Sequence, residues 1–199
     1  MAISSSTVVK LQYGHFRVAY HSSTAGDCVS VSYGKLEHGV PIVRLHSACL
    51  FGEAFHAVDC DCSEQLDTAL TLIKKNRSGV IVYRYAEGRG IGLESKIKAI
   101  ELQRKYQLNT VEAFKALGFD PDPRTYDAEV AALRDLRVSR TIKVAGKNPR
   151  KLVALQAADF KITGSIQVTM RITKDNIREL LTKRDILGHD LNLENYSEA

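Results

Sequence analysis

The sequence predicts an α/β (α+β) chain, a mixed β-sheet core with flanking helices, and three features of its 199 residues point that way. Up to Leu45, apolar residues alternate or run together over short stretches broken by Gly and Ser, the mark of strands. After Cys62 the apolar spacing becomes i, i+3, i+4, i+7, the period of an amphipathic helix. From there to the C-terminal end, short β-branched runs alternate with longer helical periods. A chain of this length buries a sizeable core without staples. A single domain is expected over residues 1–192, with the polar residues 193–199 as a flexible tail.

The elements follow in order. Phe16–Tyr20, Cys28–Tyr33 and Pro41–Leu45 are the first expected strands. Leu66, Ala69, Leu70 and Ile73 fall on one face of a helix that starts near Ser63. Gly79 ends that connection, and Val80–Tyr83 reads as a buried strand. Glu87-Gly88-Arg89-Gly90-Ile91-Gly92 is a glycine-rich turn before a helix over Leu93–Tyr106. Thr110 is placed to N-cap a short helix through Leu117. Asp120-Pro121-Asp122-Pro123 must be a loop, because each proline biases its predecessor away from the helical region. A helix over Tyr126–Leu136, a strand over Thr141–Val144 and a helix over Pro149–Gln156, with proline in its first turn, come next. The last helix is expected over Lys174–Leu187, ended by Gly188. There is no internal repeat and no low-complexity stretch.

Composition narrows the function classes. Apolar content of 44% and charged content of 26% are ordinary for a folded chain. The net charge is +5, with a pI of about 9.0, which suits an anionic partner. No block of like charges and no helix-turn-helix, RNA-binding or zinc-finger signature accompanies that charge, so nucleic acid is not an expected partner. No apolar run approaches the roughly 18 to 20 residues of a membrane span, and Met1–Thr7 is polar. No membrane partner is expected, and a cytoplasmic location is the default.

Three of the four cysteines, Cys49, Cys60 and Cys62, fall within 14 residues. In a reducing compartment such clustering reads as metal or catalysis rather than disulfides. On an extended strand, Cys60 and Cys62 would point to the same side. Three thiolates can hold zinc and leave a fourth position for water, the pattern of a catalytic site, and the metal would lower the pKa of that water. Two other readings of the same residues stand beside this one. Cys28, His46 or His56 could close a structural site as fourth ligand, or the cysteines could be inert core residues.

Several short motifs occur in one order: His46-Ser47-Ala48-Cys49, Cys60-Asp61-Cys62, the turn from Glu87 to Leu93, Thr110-Val111-Glu112-Ala113, Asp122-Pro123-Arg124 and Asn148-Pro149-Arg150-Lys151. In order and spacing they resemble the GTP cyclohydrolase II family over roughly residues 41–192, and Gly188-His189 fits the family's C-terminal pattern. The resemblance implies a homodimeric enzyme with catalytic Zn2+ that opens the guanine imidazole ring at C8 and releases formate. Pyrophosphate is lost from the triphosphate with Mg2+ present, and the product enters riboflavin biosynthesis. By position, Arg124 matches the family's proposed nucleophile toward phosphorus and Asp122 its general base. A guanidinium stays protonated in nearly all settings, so stabilising phosphate charge is the simpler role for Arg124. The resemblance also places Arg44, His46, Ser47, Gln65, Glu87, Gly88, Arg89, Thr110 and Lys151 at substrate contacts. Glu87 suits the guanine N1–H and amino donors, while Arg89 and Lys151 suit phosphates.

Departures from the pattern bear on how far the reaction runs. The family's Lys-Ile-x-Ala-Tyr reads Lys96-Ile97-Lys98-Ala99-Ile100 here, and isoleucine can neither position water nor relay a proton. Tyr106 lies about 240° further round the helix, whereas Tyr85 could offer a hydroxyl from the adjacent strand. Ala48, Asp59, Ser63 and Tyr85-Ala86 also depart from the pattern, and Lys147 could replace a lost phosphate-contacting threonine. The expected activity is therefore ring opening and pyrophosphate loss, with arrest at the formamidopyrimidine. Two alternatives are a related enzyme on another purine nucleotide in a specialised pathway and a catalytically silent nucleotide-binding zinc module.

Overall fold

A computed structural model describes residues 2–169 and 171–194. In chain order its strands are β1 (Ala2–Leu11), β2 (Gly14–Ser22), β3 (Cys28–Tyr33), β4 (Ile42–Ser47), β5 (Gly79–Arg84), β6 (Thr141–Ala145) and β7 (Lys161–Ile166). They form one sheet in the order β1-β2-β3-β5-β4-β6-β7. The β1 to β3 meander and the β3–β5 pair are antiparallel, whereas β5, β4, β6 and β7 run parallel. The helices are α1 (Leu50–Ala54), α2 (Cys62–Asn76), α3 (Leu93–Tyr106), α4 (Thr110–Ala116), α5 (Asp127–Asp135), α6 (Pro149–Ala157) and α7 (Ile177–Leu181). Glu87–Gly90 forms a 3-10 turn, and Thr182–Ile186 continues α7 as a π turn. The expected α/β architecture is what forms.

Strand alternation sends β4 side chains to two cores. Val43 and Leu45 pack with Val130 and Leu133 of α5 and Leu155 of α6. Ile42 packs on the other face with Leu70 and Ile73 of α2. Truncating a fully buried side chain such as Ile73 to alanine would cost about 2–5 kcal/mol. A parallel strand covered on both faces should be continuously apolar. Arg44 and His46 break that rule in β4 while remaining buried.

Several elements differ from the sequence reading. No strand is expected over β1, of which only the part up to Thr7 is polar. Residues 3–10 are exposed, so no core alternation marks them, and pairing with β2 makes the strand, with Leu11 at its end packed against the core. β7 and the five-residue α1 were also missed; β7 is a half-buried strand at the end of the sheet, and α1 is too short for a helical period. Cys60 and Cys62 do not lie on an extended strand, since Cys60 is in a loop and Cys62 opens α2. Asn109, rather than Thr110, caps α4: its side chain accepts from the Glu112 N–H, and Glu112 returns a bond to the Asn109 N–H. The last helix is shorter than expected, starting at Ile177. Of the expected tail 193–199, residues 195–199 lie outside the described residues, and Leu193 is buried.

Candidate active site

After β4 the chain crosses to β5 on one side and later returns to β6 on the other. Loops that diverge this way leave a crevice at the carboxyl ends of parallel strands. A cavity of about 670 Å³ occupies that position, and the segments following β4, β5, β6 and β7 all contribute to its wall. Such a volume suits a nucleotide-sized ligand. Every expected site residue except Asp122 lines it. Asp122 is connected to it through Arg124.

At one end of the cavity, the sulfurs of Cys49, Cys60 and Cys62 lie within 4.8 Å of one another. Cys49 caps α1 and Cys62 begins α2, so the turn between these helices gathers the thiols. Gly52 leaves room for them: a Cβ there would stand 2.7 Å from Cys60 Sγ and 3.3 Å from Cys49 Sγ. The Cys60 and Cys62 thiols turned toward Cys49 hold its sulfur far below the ordinary thiol range. The same crowding pushes Cys60 up to about 11 and Cys62 well above the usual value. Three thiolates this close need a cation among them, so the donor set fits a thiophilic metal ion. No fourth His, Cys, Asp or Glu ligand atom joins the group among the described residues, which leaves an open position. Cys28 is buried in the core against the Ala128 carbonyl. Burial raises its thiol to about 11.

Beside the thiols lies a buried polar network. Arg44 donates Nε to His46 Nδ1 (2.9 Å), Nη1 to the Ala145 carbonyl (3.0 Å) and Nη2 to Gln65 Oε1 (2.6 Å). Burial lowers Arg44 to about 10, which leaves it charged near neutrality. Because Nδ1 accepts, His46 carries its proton on Nε2 and donates it to Glu53 Oε1 at 2.8 Å. Burial, then the Arg44 charge, push His46 down to about 4, so the ring is neutral. Glu53 also accepts from the Cys49 N–H (3.0 Å) and from the Tyr83 hydroxyl (2.7 Å). Gln65 passes the network to Asp61 (2.6 Å), which Lys183 meets from the far side at 2.6 Å. Burial opposes ionisation of Asp61, but Lys183 and the hydrogen bonds bring it down to about 2.

Further basic side chains line the same cavity. Arg124 Nη1 donates to Ser47 Oγ at 3.1 Å and is held by the Asp122 carboxylate. The Lys151 ammonium donates to the Leu45 carbonyl at 2.7 Å. Burial, then Arg124 and Arg44, push its pKa well below the usual value. Burial and the neighbouring Lys183 and Lys151 also lower His189 to about 4. The Arg124 and Arg44 guanidiniums remain charged, and this buried positive charge favours an anionic ligand, which would in turn favour the charged form of Lys151. Lys147 also lines the cavity but pairs with Asp190 at 2.5 Å. Arg89 and Thr110 are held by one carboxylate: Glu179 accepts from Arg89 Nη2 (2.8 Å) and Thr110 Oγ1 (2.6 Å).

Ile100 lines the cavity, and no tyrosine does so among the described residues. Tyr85, the alternative source of a hydroxyl, is 72% exposed and stands edge-on to Tyr83 with ring centroids 5.5 Å apart. Tyr106 is exposed at the end of α3. Gly52, Glu53, Lys96, Asp61, Glu179 and Lys183 escaped the sequence reading. Asp61, flanked by two candidate ligands, and Lys96, the matching first residue of the Lys-Ile-x-Ala segment, carried a local signal; the others reach the site by folding.

The family model described as GTP cyclohydrolase II matches residues 2–167. "GTP cyclohydrolase-2" of Shewanella amazonensis is 39% identical over 176 residues, covering 88% of this chain and 85% of that protein. "Riboflavin biosynthesis protein RibBA" of Endomicrobium trichonymphae is 38% identical over 183 residues, covering 90% of this chain and 45% of that protein. The chain thus spans less than half the length of such longer relatives. Among solved structures, a two-domain 3,4-dihydroxy-2-butanone 4-phosphate synthase from A. baumannii aligns with a TM-score of 0.45 and 15% identity, covering 85% of this chain and 40% of that one.

Proposed function

This chain belongs to the GTP cyclohydrolase II family, and on that premise we propose that it hydrolyses GTP at C8 of guanine, releases pyrophosphate and retains the formamide on the product. One observation carries the reading: three clustered thiols and buried positive charge share a single cavity. That pairing suits a ligand with a reactive centre at one end and phosphates at the other.

Zinc held by Cys49, Cys60 and Cys62 would supply an acidified water at neutral pH. Glu87 and the Arg44–Gln65 pair stand near that end to receive the base, with Gly88 allowing close backbone approach. His46 is neutral and donates to Glu53, so it orients the Cys49 backbone rather than adding charge. Arg124, Lys151, Ser47, Arg89 and Thr110 are the groups available to phosphates. Arg124 acts as a fixed charge, because Asp122 keeps it protonated. Magnesium would accompany the triphosphate, and the working unit is a homodimer. Ile100 puts an aliphatic group on the cavity wall, leaving the formamide without a tyrosine hydroxyl to assist its hydrolysis.

Incubation with GTP, Zn2+ and Mg2+, followed by mass spectrometry and a formate assay, tests this. The expected product retains the formyl carbon, and Ile100→Tyr should gain formate release. Stoichiometric formate from the unaltered protein would rule out arrest, and unchanged GTP would rule out the activity.

A further inference from the structure

Lys96 joins two parts of the site that the mechanism treats separately. It projects from α3, one turn before Ile100, and its side chain is largely buried. Its ammonium lies 3.2 Å from Cys49 Sγ and 2.6 Å from Glu87 Oε1. It also stands 5.0 Å from the centre of the Phe51 ring. The other Glu87 oxygen accepts the N–H of Leu50, the residue after Cys49, at 2.8 Å. Glu87 and Lys96 therefore grip the Cys49 loop twice, at its sulfur and at its backbone. The turn is shaped for this: Gly88 has φ +58, and a Cβ there would stand 3.0 Å from Lys96 Cβ.

We propose that Lys96 is a positioning residue that holds the Cys49 sulfur and the Glu87 carboxylate in one clamp, tying the metal-binding thiols to the base-contacting turn. An N–H donated to a thiolate withdraws charge from the sulfur and fixes its direction. Groups of this kind around a metal set both its affinity and its electronic character. The ammonium also neutralises Glu87 beside the anionic sulfur, so the carboxylate can stay there without repelling it. The assignment of Glu87 to the base rests on the proposed function, but the clamp on Cys49 does not.

The test needs no nucleotide. Lys96→Met keeps the chain length and removes the donor. Competition with a chromophoric chelator should show zinc binding weakened by about tenfold or more. In the Co2+-substituted protein, the sulfur-to-metal charge-transfer band should shift. Lys96→Arg, which retains a donor, should restore most of the affinity. Glu87→Gln should weaken zinc binding too, and the double variant should lose less than the two single losses combined. Circular dichroism separates these effects from loss of fold. A folded Lys96→Met protein with unchanged zinc affinity and an unshifted band would overturn the clamp. Failure to turn over GTP would instead count against the proposed function.

Discussion

Arg124 meets the Asp122 carboxylate with two parallel hydrogen bonds, Nε to Oδ1 at 2.7 Å and Nη2 to Oδ2 at 2.6 Å. Burial disfavours the charged guanidinium, yet Asp122 more than compensates, and the pKa of Arg124 is raised. A proton held this firmly makes Arg124 a stationary charge instead of an attacking nitrogen. Arg124→Gln should lower turnover about 10²- to 10³-fold, as for loss of a donor aimed at developing negative charge. Asp122→Asn should destabilise the fold by about 3 kcal/mol, because it leaves a buried charge unpaired. Steady-state pyrophosphate release and urea denaturation measure the two effects.

Glu179 occupies Arg89 and Thr110 with a single carboxylate. Any phosphate that uses those two groups must compete with it. Glu179→Gln should tighten GTP binding by about tenfold, the worth of one charge-assisted hydrogen bond, and leave guanosine binding unchanged. Calorimetric titration with both ligands decides this; equal effects on the two would remove Glu179 from the phosphate region.

Gly52 has no Cβ where the thiols converge. Gly52→Ala would put a carbon 2.7 Å from Cys60 Sγ and 3.1 Å from Cys62 Cβ. Its backbone is helical, so the strain falls on the sulfurs and not on the main chain. Zinc content after dialysis against a weak chelator should drop sharply while the thermal midpoint of the metal-free protein moves little.

His46 gives a pH dependence of known sign. Its pKa falls from 6.5 in the unfolded chain to about 4 in the fold, through burial and then Arg44. The folded state thus refuses a proton that the unfolded chain accepts. Its contribution is fully present above pH 6.5 and is lost as pH falls toward 4, by about 2 kcal/mol at pH 5. His46→Gln should flatten that part of the profile. Urea titrations at pH 7 and pH 5 on the metal-free protein make the comparison, with thiol protonation common to both proteins.

The helix over Leu66–Ile73 and the strand over Val80–Tyr83 were legible because each repeats a period that its own packing imposes. The β1 strand was not, because its residues 3–10 are exposed and carry no core alternation, and the strand is held by its pairing with β2. In the site, the cysteines and the Asp-Pro-Arg loop were readable as motifs. Glu53 and Glu179 were not, and Lys96 was legible only as part of a motif: each takes its role from what it touches across the fold.

The sequence by itself determined which chemistry-bearing residues exist, their spacing along the chain, and that Ile100 stands where the resembling family carries a tyrosine. The tertiary structure decided the rest. It put Cys62 at a helix start instead of on a strand, placed Tyr85 at the surface, and joined Lys96 to both Cys49 and Glu87. The physical reason is that a side chain's partners depend on strand order and crossover path, which bring residues such as Arg89 and Glu179, 90 positions apart, into hydrogen-bonding distance.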